Sequence, residues 1–309
     1  MKIAIAGSGA LGSGFGFKLF QAGNEVTLID TWPDHVEAIN TNGLEVDFNG
    51  EKGTEKIPAF FPQDVKDTFD VVFVFTKSMQ LANMLEAIQH TLTEDTKIIC
   101  LLNGLGHKQT LAKYIPVKNI FMGTTVWTAG IDAPGKVHFM GQGPVELQNI
   151  DPNEKAAAEE LVEMMAKAGL NGQYSDNVVF STWRKACVNG TLNVLCSILD
   201  CDIEELSKTE TCRNMMTSII TEFSLGAKVE GVTLDVTETV DYLMDLCGKV
   251  GPHYPSMHQD LIQNHRPTEV DYLNGAVAKM GKEHGFDAPT CQIITDLIHA
   301  KEDLLGIKR

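Results

Sequence analysis

The sequence predicts an α/β N-terminal domain built on a mostly parallel sheet, followed by an all-α C-terminal domain. Three observations carry that expectation. Short apolar, often β-branched runs alternate with helical patterns through the first 150 residues. Past residue 177 the strand signals stop while helical periodicity continues. At 309 residues the chain is also longer than one hydrophobic core usually serves.

Taken in order, the β-like runs are KIAIA (2–6), EVTLI (25–29), DVVFVF (70–75), KIICLL (97–102), NIFMGTTVW (119–127) and PVELQNI (144–150). Helical patterns lie between the first four, near 10–22 and 78–91, with a weaker one at 34–42. A β-α-β rhythm of this kind calls for parallel strands with helices on both faces. Residues 128–144, with four glycines and two prolines, read as a hairpin or loop excursion at the end of that sheet. Asp151-Pro152-Asn153-Glu154 then opens a helix, with Asp as N-cap and Glu three residues later, which runs to Ala168 and stops at Gly169. The domain boundary is placed within 170–177, giving domains 1–174 and 175–309. Helical periodicity fills 178–200, 209–230, 235–249 and 269–305.

Composition narrows the function classes. A formal charge of −16, with four arginines, argues against nucleic acid or an anionic membrane as partner, since phosphate binding needs a basic footprint. No apolar run approaches the ~20 residues that span a bilayer, and Met1-Lys2 leads directly into the first β-like run without a cleavable-signal pattern, so a cytoplasmic protein is expected. Seven scattered cysteines without a C-x-x-C pair read as reduced core thiols. His253, His258 and His265 lack the i, i+4 spacing of a helical metal pair, and no metal site is expected.

The first functional motif is Gly7-Ser8-Gly9-Ala10-Leu11-Gly12, directly after the first strand and at the start of a helix. Such glycines allow a tight turn, close approach of backbone to a pyrophosphate, and packing of the helix on the sheet, while the helix N-terminus offers N–H groups to an anion. The second strand ends at Asp30, 18 residues past Gly12, where a carboxylate can accept hydrogen bonds from the adenosine ribose hydroxyls. A Rossmann-like dinucleotide-binding domain follows. A carboxylate would repel a 2′-phosphate, and Thr31 and Trp32 supply no guanidinium, so NAD is expected over NADP.

The second lies in WRKACVNGTLN (183–193), where Lys185, Asn189 and Asn193 recur every four residues. On an α-helix four residues advance about 400°, so the three side chains share one side. A further stretch, YPSMHQDLIQNHRPTEVDYLNG (254–275), interrupts its helical pattern with Ser256, Asp260, Arg266, Glu269 and Asp271. Hydride transfer to a substrate carbonyl develops negative charge on its oxygen. A lysine ammonium aimed there would stabilise it and donate a proton, with amides and a hydroxyl orienting the substrate.

In these motifs, together with TKSMQ (76–80) and LLNGLG (101–106), the chain resembles the ketopantoate reductases across nearly its whole length. The resemblance implies that Lys185 is the general acid and that Glu269 is also in the active site, in contact with cofactor. It implies that Asn189, Asn193, Ser256 and Asn103 hold the substrate, and that Lys77, Gln80 and Asn103 lie along the cofactor. Two departures stand out. The family commonly carries an arginine near the end of the second strand for the NADPH phosphate, where this chain has Asp30-Thr31. A family asparagine that contacts the distal hydroxyl of ketopantoate is here His253. Both point to a branch that resembles NAD-dependent D-2-hydroxyacid dehydrogenases, such as D-mandelate dehydrogenases, acting on 2-oxo acids branched at C3. Biosynthetic 2-dehydropantoate reduction with NADPH remains the alternative. A 3-hydroxyacid dehydrogenase and a non-catalytic NAD-binding redox sensor are further ones. A homodimer is expected by analogy with related reductases. Met215, Met216, Ile219, Ile220 and Phe223 follow helical spacing as core or interface, and Trp127 and Trp183 suit either packing or a site border.

Overall fold

The computed structural model describes residues 1–309, and its chain order follows the β-α rhythm. Strand β1 (Lys2–Ala6) leads into helix α1 (Ala10–Gln21), and β2 (Glu25–Ile29) into α2 (Pro33–Asn42). A hairpin of β3 (Leu44–Phe48) and β4 (Glu51–Glu55) and the short β5 (Ala59–Phe60) come next. They are followed by β6 (Val71–Val74), α3 (Leu81–Ala87), β7 (Lys97–Cys100), α4 (His107–Leu111) and β8 (Ile120–Thr125). The hairpin β9 (Thr128–Ala133) and β10 (Lys136–Met140) precedes β11 (Val145–Asn149), α5 (Lys155–Lys167) and β12 (Gly172–Tyr174).

Eight strands form one sheet in the order β12-β11-β8-β7-β6-β1-β2-β5, parallel throughout except where β11 meets β8. Its inner strands are buried on both sides. Ile3, Ile5, Val71 and Phe73 pack into one core layer, while Ala4, Ala6, Val72 and Val74 pack into another. That two-sided burial is why these strands read as continuous apolar runs rather than alternating ones. The carboxyl ends of β1 and β6 lie side by side, with β2 on the far side of β1, so the direction of winding reverses there. Crevices at such a reversal are where open α/β sheets bind ligands.

The excursion at 128–144 is a hairpin, but it does not extend the large sheet. Strand β10 pairs in parallel with β3, and a second sheet forms in the order β4-β3-β10-β9. Strands β3 and β4 lie outside the β-like runs because LEVDF and EKGTE mix charge with few apolar residues, as half-exposed strands do.

By packing, the chain forms two compact units: Met1–Leu102 with His107–Val178, and Asn103–Gly106 with Val179–Arg309. The four residues Asn103–Gly106, which sequence order assigns to the first domain, pack with the helical unit. That unit contains α6 (Val178–Val188), a π turn at Asn189–Asn193, α7 (Val194–Leu199), α8 (Ile203–Ser207), α9 (Cys212–Val229) and α10 (Val236–Val250). Beyond these lie α11 (Ser256–His258), a second π turn at Gln259–Gln263, α12 (Asn274–His284) and α13 (Pro289–Leu304). The pattern expected as one helix over 269–305 is split: Gly285, at φ +79°, caps α12, and Pro289 starts α13. Asp235 caps α10 by accepting from the Glu238 N–H at 2.8 Å.

Trp183 and Trp127 are both packing residues. Trp183 is fully buried, donates to Glu230 at 2.8 Å and meets Phe223 edge-on, while Trp127 stacks on Phe139 and donates to the Gly143 carbonyl. Met216, Ile219, Ile220 and Phe223 lie in the same core as Trp183. All seven cysteines are free, and no helix is long and apolar enough to cross a membrane.

Candidate active site

In the α/β unit the glycine motif has the shape a dinucleotide needs. Gly7 sits at φ +93°, and a Cβ there would come within 2.6 Å of the Thr76 backbone nitrogen on the β6 side. A Cβ on Gly12 would collide with the Gly7 carbonyl, so that glycine is needed for helix α1 to start this close to β1. At Gly9 a Cβ would meet nothing within 4 Å. The loop is thus tight on its protein side and open at its middle, as backbone contact with a pyrophosphate requires. Gly9 is the N-cap of α1 and has no side chain to occupy the first N–H groups of Ala10, Leu11 and Gly12, and no acidic residue stands in the first turn. That helix end therefore suits an anion.

Asp30, just past β2, accepts from the backbone N–H groups of Thr31 (2.8 Å) and Trp32 (3.0 Å) through Oδ1. Its Oδ2 lies 3.5 Å from the Ser8 hydroxyl, so the carboxylate is fixed beside the glycine loop. Lys77 follows β6 and starts a short 3-10 turn, Ser78–Gln80, with Lys77 partly covered and Gln80 exposed. The parallel pairing of β6 with β1 puts this turn at the same end of the sheet as the glycine motif.

The helical unit holds the second group. Lys185 is in the last turn of α6, and the π turn Asn189–Asn193 follows directly. Widening from α to π rotates each residue by less than an α turn does, which reduces the drift of the Lys185-Asn189-Asn193 row; π turns are often found at functional sites. Backbone groups released by the wider turn find side chains: buried Asn274 donates to the Gly190 carbonyl at 3.0 Å, and Ser197 to the Asn193 carbonyl at 2.7 Å. Asn193 donates across to the Ser256 hydroxyl at 3.3 Å.

These side chains line a recess formed by Asn103, Asn189, Asn193, Ser256, Met257, Asp260, Glu269 and Leu273. Asn103 reaches it because Gly104, at φ +93°, lets its backbone approach Tyr272, and the Leu105 N–H donates to the Tyr272 carbonyl at 2.8 Å. Burial lowers the Lys185 pKa to about 8, and the nearby Glu269 carboxylate works against that fall. The amine, close to a carboxylate that itself lines the recess, therefore titrates within reach of neutral pH.

Thus Asn103, Asn189, Asn193, Ser256 and Glu269 come together, with Lys185 next to Glu269. His253 does not line the recess: it is exposed, and its carbonyl accepts from the Ile203 N–H. Met257 and Leu273 also line it, neither of them marked by the sequence, as does Asp260, which the sequence places in the candidate stretch without a role. Asp260 was legible in principle, being four residues after Ser256; its carboxylate is buried and pairs with Arg266 at 3.1 Å.

Fold and site define a two-unit oxidoreductase: a parallel-sheet unit with a dinucleotide loop, and a helical unit with amides, a hydroxyl and carboxylates around a recess and a lysine close to one of those carboxylates. Residues 3–152 match the family described as ketopantoate reductase PanE/ApbA, and residues 177–302 match the ketopantoate reductase PanE/ApbA C-terminal family. The chain belongs to the ketopantoate reductase family. It is 47% identical to the 2-dehydropantoate 2-reductase of Lactococcus lactis subsp. lactis (strain IL1403) over the full length of both. It is also similar to the structure of D-mandelate dehydrogenase with NADH and anilino(oxo)acetate, at 48% identity and TM-score 0.96 over the whole of each chain. The 2-dehydropantoate 2-reductase of Geobacter metallireducens GS-15 superposes at TM-score 0.89 with 27% identity, covering 97% of this chain and 99% of that one.

Proposed function

We propose that this oxidoreductase interconverts C3-branched 2-oxo acids and (R)-2-hydroxy acids using NAD(H). The observation that carries the reading is the recess gathering Asn103, Asn189, Asn193, Ser256 and Glu269, with Lys185 near enough to Glu269 to feel its charge and, through burial, a pKa lowered to about 8. A donor with that pKa is protonated at neutral pH yet gives up its proton readily. When bound, the nicotinamide cofactor supplies the hydride. Gly7, Gly9, Ala10, Leu11 and Gly12 would hold its pyrophosphate and Asp30 its adenosine ribose, with Lys77 and Gln80 serving it from the turn after β6. Lys185 donates a proton to the carbonyl oxygen as negative charge grows there, and Glu269 helps keep that lysine charged. Asn189, Asn193 and Asn103 orient the oxo acid, and Ser256 accepts the Asn193 amide while offering its own proton to the substrate carboxylate. Met257 and Leu273 supply apolar surface for the branch at C3.

NAD(H) is supported by Asp30, and a branched or aryl 2-oxo acid by the similarity to the D-mandelate dehydrogenase bound to NADH and anilino(oxo)acetate. The exposure of His253, outside the recess lining, also favours a substrate without the distal hydroxyl of ketopantoate. A second reading, 2-dehydropantoate reduction with NADPH, is favoured by the 47% identity to the Lactococcus enzyme. Measuring kcat/KM for ketopantoate, 2-oxoisovalerate and benzoylformate with both cofactors separates the two: a strong ketopantoate preference with NADPH reverses the order. Lys185→Ala that binds NADH but no longer turns over supports the acid role; unchanged turnover rejects it. Exposed Ile293 and Leu297, one turn apart on α13, are consistent with the homodimer expected from related reductases, which sedimentation would test.

A further inference from the structure

We propose that His35 is a positioning residue for the dinucleotide loop, holding the Ser8 carbonyl inward so that the Gly9 N–H faces the cofactor phosphates. The proposal rests on the reading that the glycine loop binds a dinucleotide. His35 lies in the first turn of α2, fully buried, with each ring nitrogen engaged. Nδ1 receives the backbone N–H of Gly135 at 3.0 Å, and Nε2 lies 2.9 Å from the Ser8 carbonyl oxygen. A backbone N–H can only donate, so Nδ1 must offer its lone pair and the ring proton must sit on Nε2, where it donates to Ser8. The Ser13 hydroxyl donates to the same carbonyl at 2.6 Å. Trp32 stacks parallel on the imidazole with centroids 5.3 Å apart, and burial holds the ring pKa below its ordinary value, which keeps this neutral tautomer in place.

The consequence follows from peptide geometry. No peptide in the chain is cis, and in a trans peptide the C=O and the next N–H point in opposite directions. Two donors that fix the Ser8 carbonyl into the protein therefore aim the Gly9 N–H outward, on the residue whose missing side chain leaves open space. The other end of the imidazole is braced as well. Gly135 turns β9 into β10 at φ +73°, and its carbonyl accepts from the Glu45 N–H of β3 at 2.9 Å. Through His35, the small sheet supports the loop of the large one.

Two substitutions divide the imidazole's work. In His35→Gln the amide nitrogen can occupy the Nε2 position and keep the donor to Ser8. In His35→Asn the amide oxygen can replace Nδ1 and keep the acceptor for Gly135, but the Ser8 donor is lost. Fluorescence titration of the full chain with NADH is expected to show His35→Asn weakened by about tenfold, the worth of one lost hydrogen bond, and His35→Gln within about threefold of the unsubstituted chain. The oxo-acid KM at saturating NADH should stay unchanged in both. Equal loss in the two variants, or unchanged binding in His35→Asn, overturns the proposal while leaving the cofactor reading intact. Failure of the unsubstituted chain to bind NADH overturns both. If His35→Asn does not fold, the ring ¹⁵N shifts of the unsubstituted protein decide: a proton on Nε2 supports the assignment and a proton on Nδ1 ends it.

Discussion

Asn193 and Ser256, 63 residues apart in the chain, meet through an amide-to-hydroxyl hydrogen bond of 3.3 Å. The contact ties the π turn after α6 to the start of α11, so two motifs far apart in sequence act on one recess. Ser256→Ala removes the hydroxyl from both its amide partner and the substrate carboxylate. The expected result is a rise in oxo-acid KM of about five- to tenfold, near the ~1 kcal/mol worth of a partly buried hydrogen bond, with NADH affinity unchanged. Because the residues touch, the Asn193→Ala and Ser256→Ala effects should fall short of additive in the double variant. Full additivity in kcat/KM would show that they act independently.

The Lys185 amine, with its pKa brought to about 8, sets the pH dependence of both directions. Oxo-acid reduction needs the protonated form, so kcat/KM should stay level below pH 8 and fall above it. Oxidation of the hydroxy acid needs the neutral form and should rise through the same range. Glu269→Gln removes the attraction that opposes the burial effect, and the falling limb of reduction should move to lower pH. A limb that stays where it is in Glu269→Gln would mean that another group controls it.

The same depressed pKa affects stability, with a definite sign. Below about pH 8 the lysine is charged both folded and unfolded, and its burial costs stability; between 8 and its ordinary 10.5 the unfolded chain holds more protons, so stability rises with pH. Lys185→Met should therefore raise Tm at pH 7, and the gain should shrink toward pH 10. A loss of Tm at pH 7 would contradict the burial argument. Catalytic groups held in costly environments commonly show such a trade.

Asp30 is engaged through Oδ1 with two backbone N–H groups, so Asp30→Asn can keep that turn while removing the charge. Like unit charges at 4 Å repel by about 1 to 4 kcal/mol according to screening, so relief of that repulsion should improve NADPH use at least several-fold. Adding Thr31→Arg should carry the preference further. Steady-state kcat/KM for both cofactors checks this, and an unaltered NADPH to NADH ratio would remove Asp30 from the specificity argument.

The fold is legible in the sequence to different depths in the two units. Strands β1, β2 and β6 to β8 are buried on both faces, and their apolar runs identified them almost to the residue. Strands β3 and β4 carry charge on an exposed face, and β3 joins its sheet by pairing with β10, a partner some ninety residues away, which local patterning does not register. The Lys185 row was visible as an i, i+4 repeat, but not its π turn, because the turn depends on Asn274 and Phe223 packing around Gly190. Met257 and Leu273 look like ordinary core residues in sequence, and only packing shows that they face the recess. His253 follows from a linear match of motifs, whereas its exposure follows from the chain path that pairs it with Ile203.

Gly104 tests whether backbone conformation, rather than side-chain chemistry, delivers Asn103 to the recess. Its φ of +93° strains any residue with a Cβ, and a Cβ there would lie 2.8 Å from both the Cβ and the carbonyl oxygen of Tyr272. Gly104→Ala therefore combines a left-handed conformational penalty of about 1–2 kcal/mol with a contact the neighbouring backbone must yield to. The Asn103–Gly106 segment belongs to the helical unit, whereas the glycine loop belongs to the other, so the two ligands should respond differently. The expected outcome is a lower Tm and a raised oxo-acid KM, with NADH affinity within about twofold of the parent, the scatter of an undisturbed site. A parallel loss of NADH affinity would show that Asn103 serves the cofactor as well as the oxo acid, and unchanged Tm and KM would mean that the close approach to Tyr272 is not needed to place Asn103.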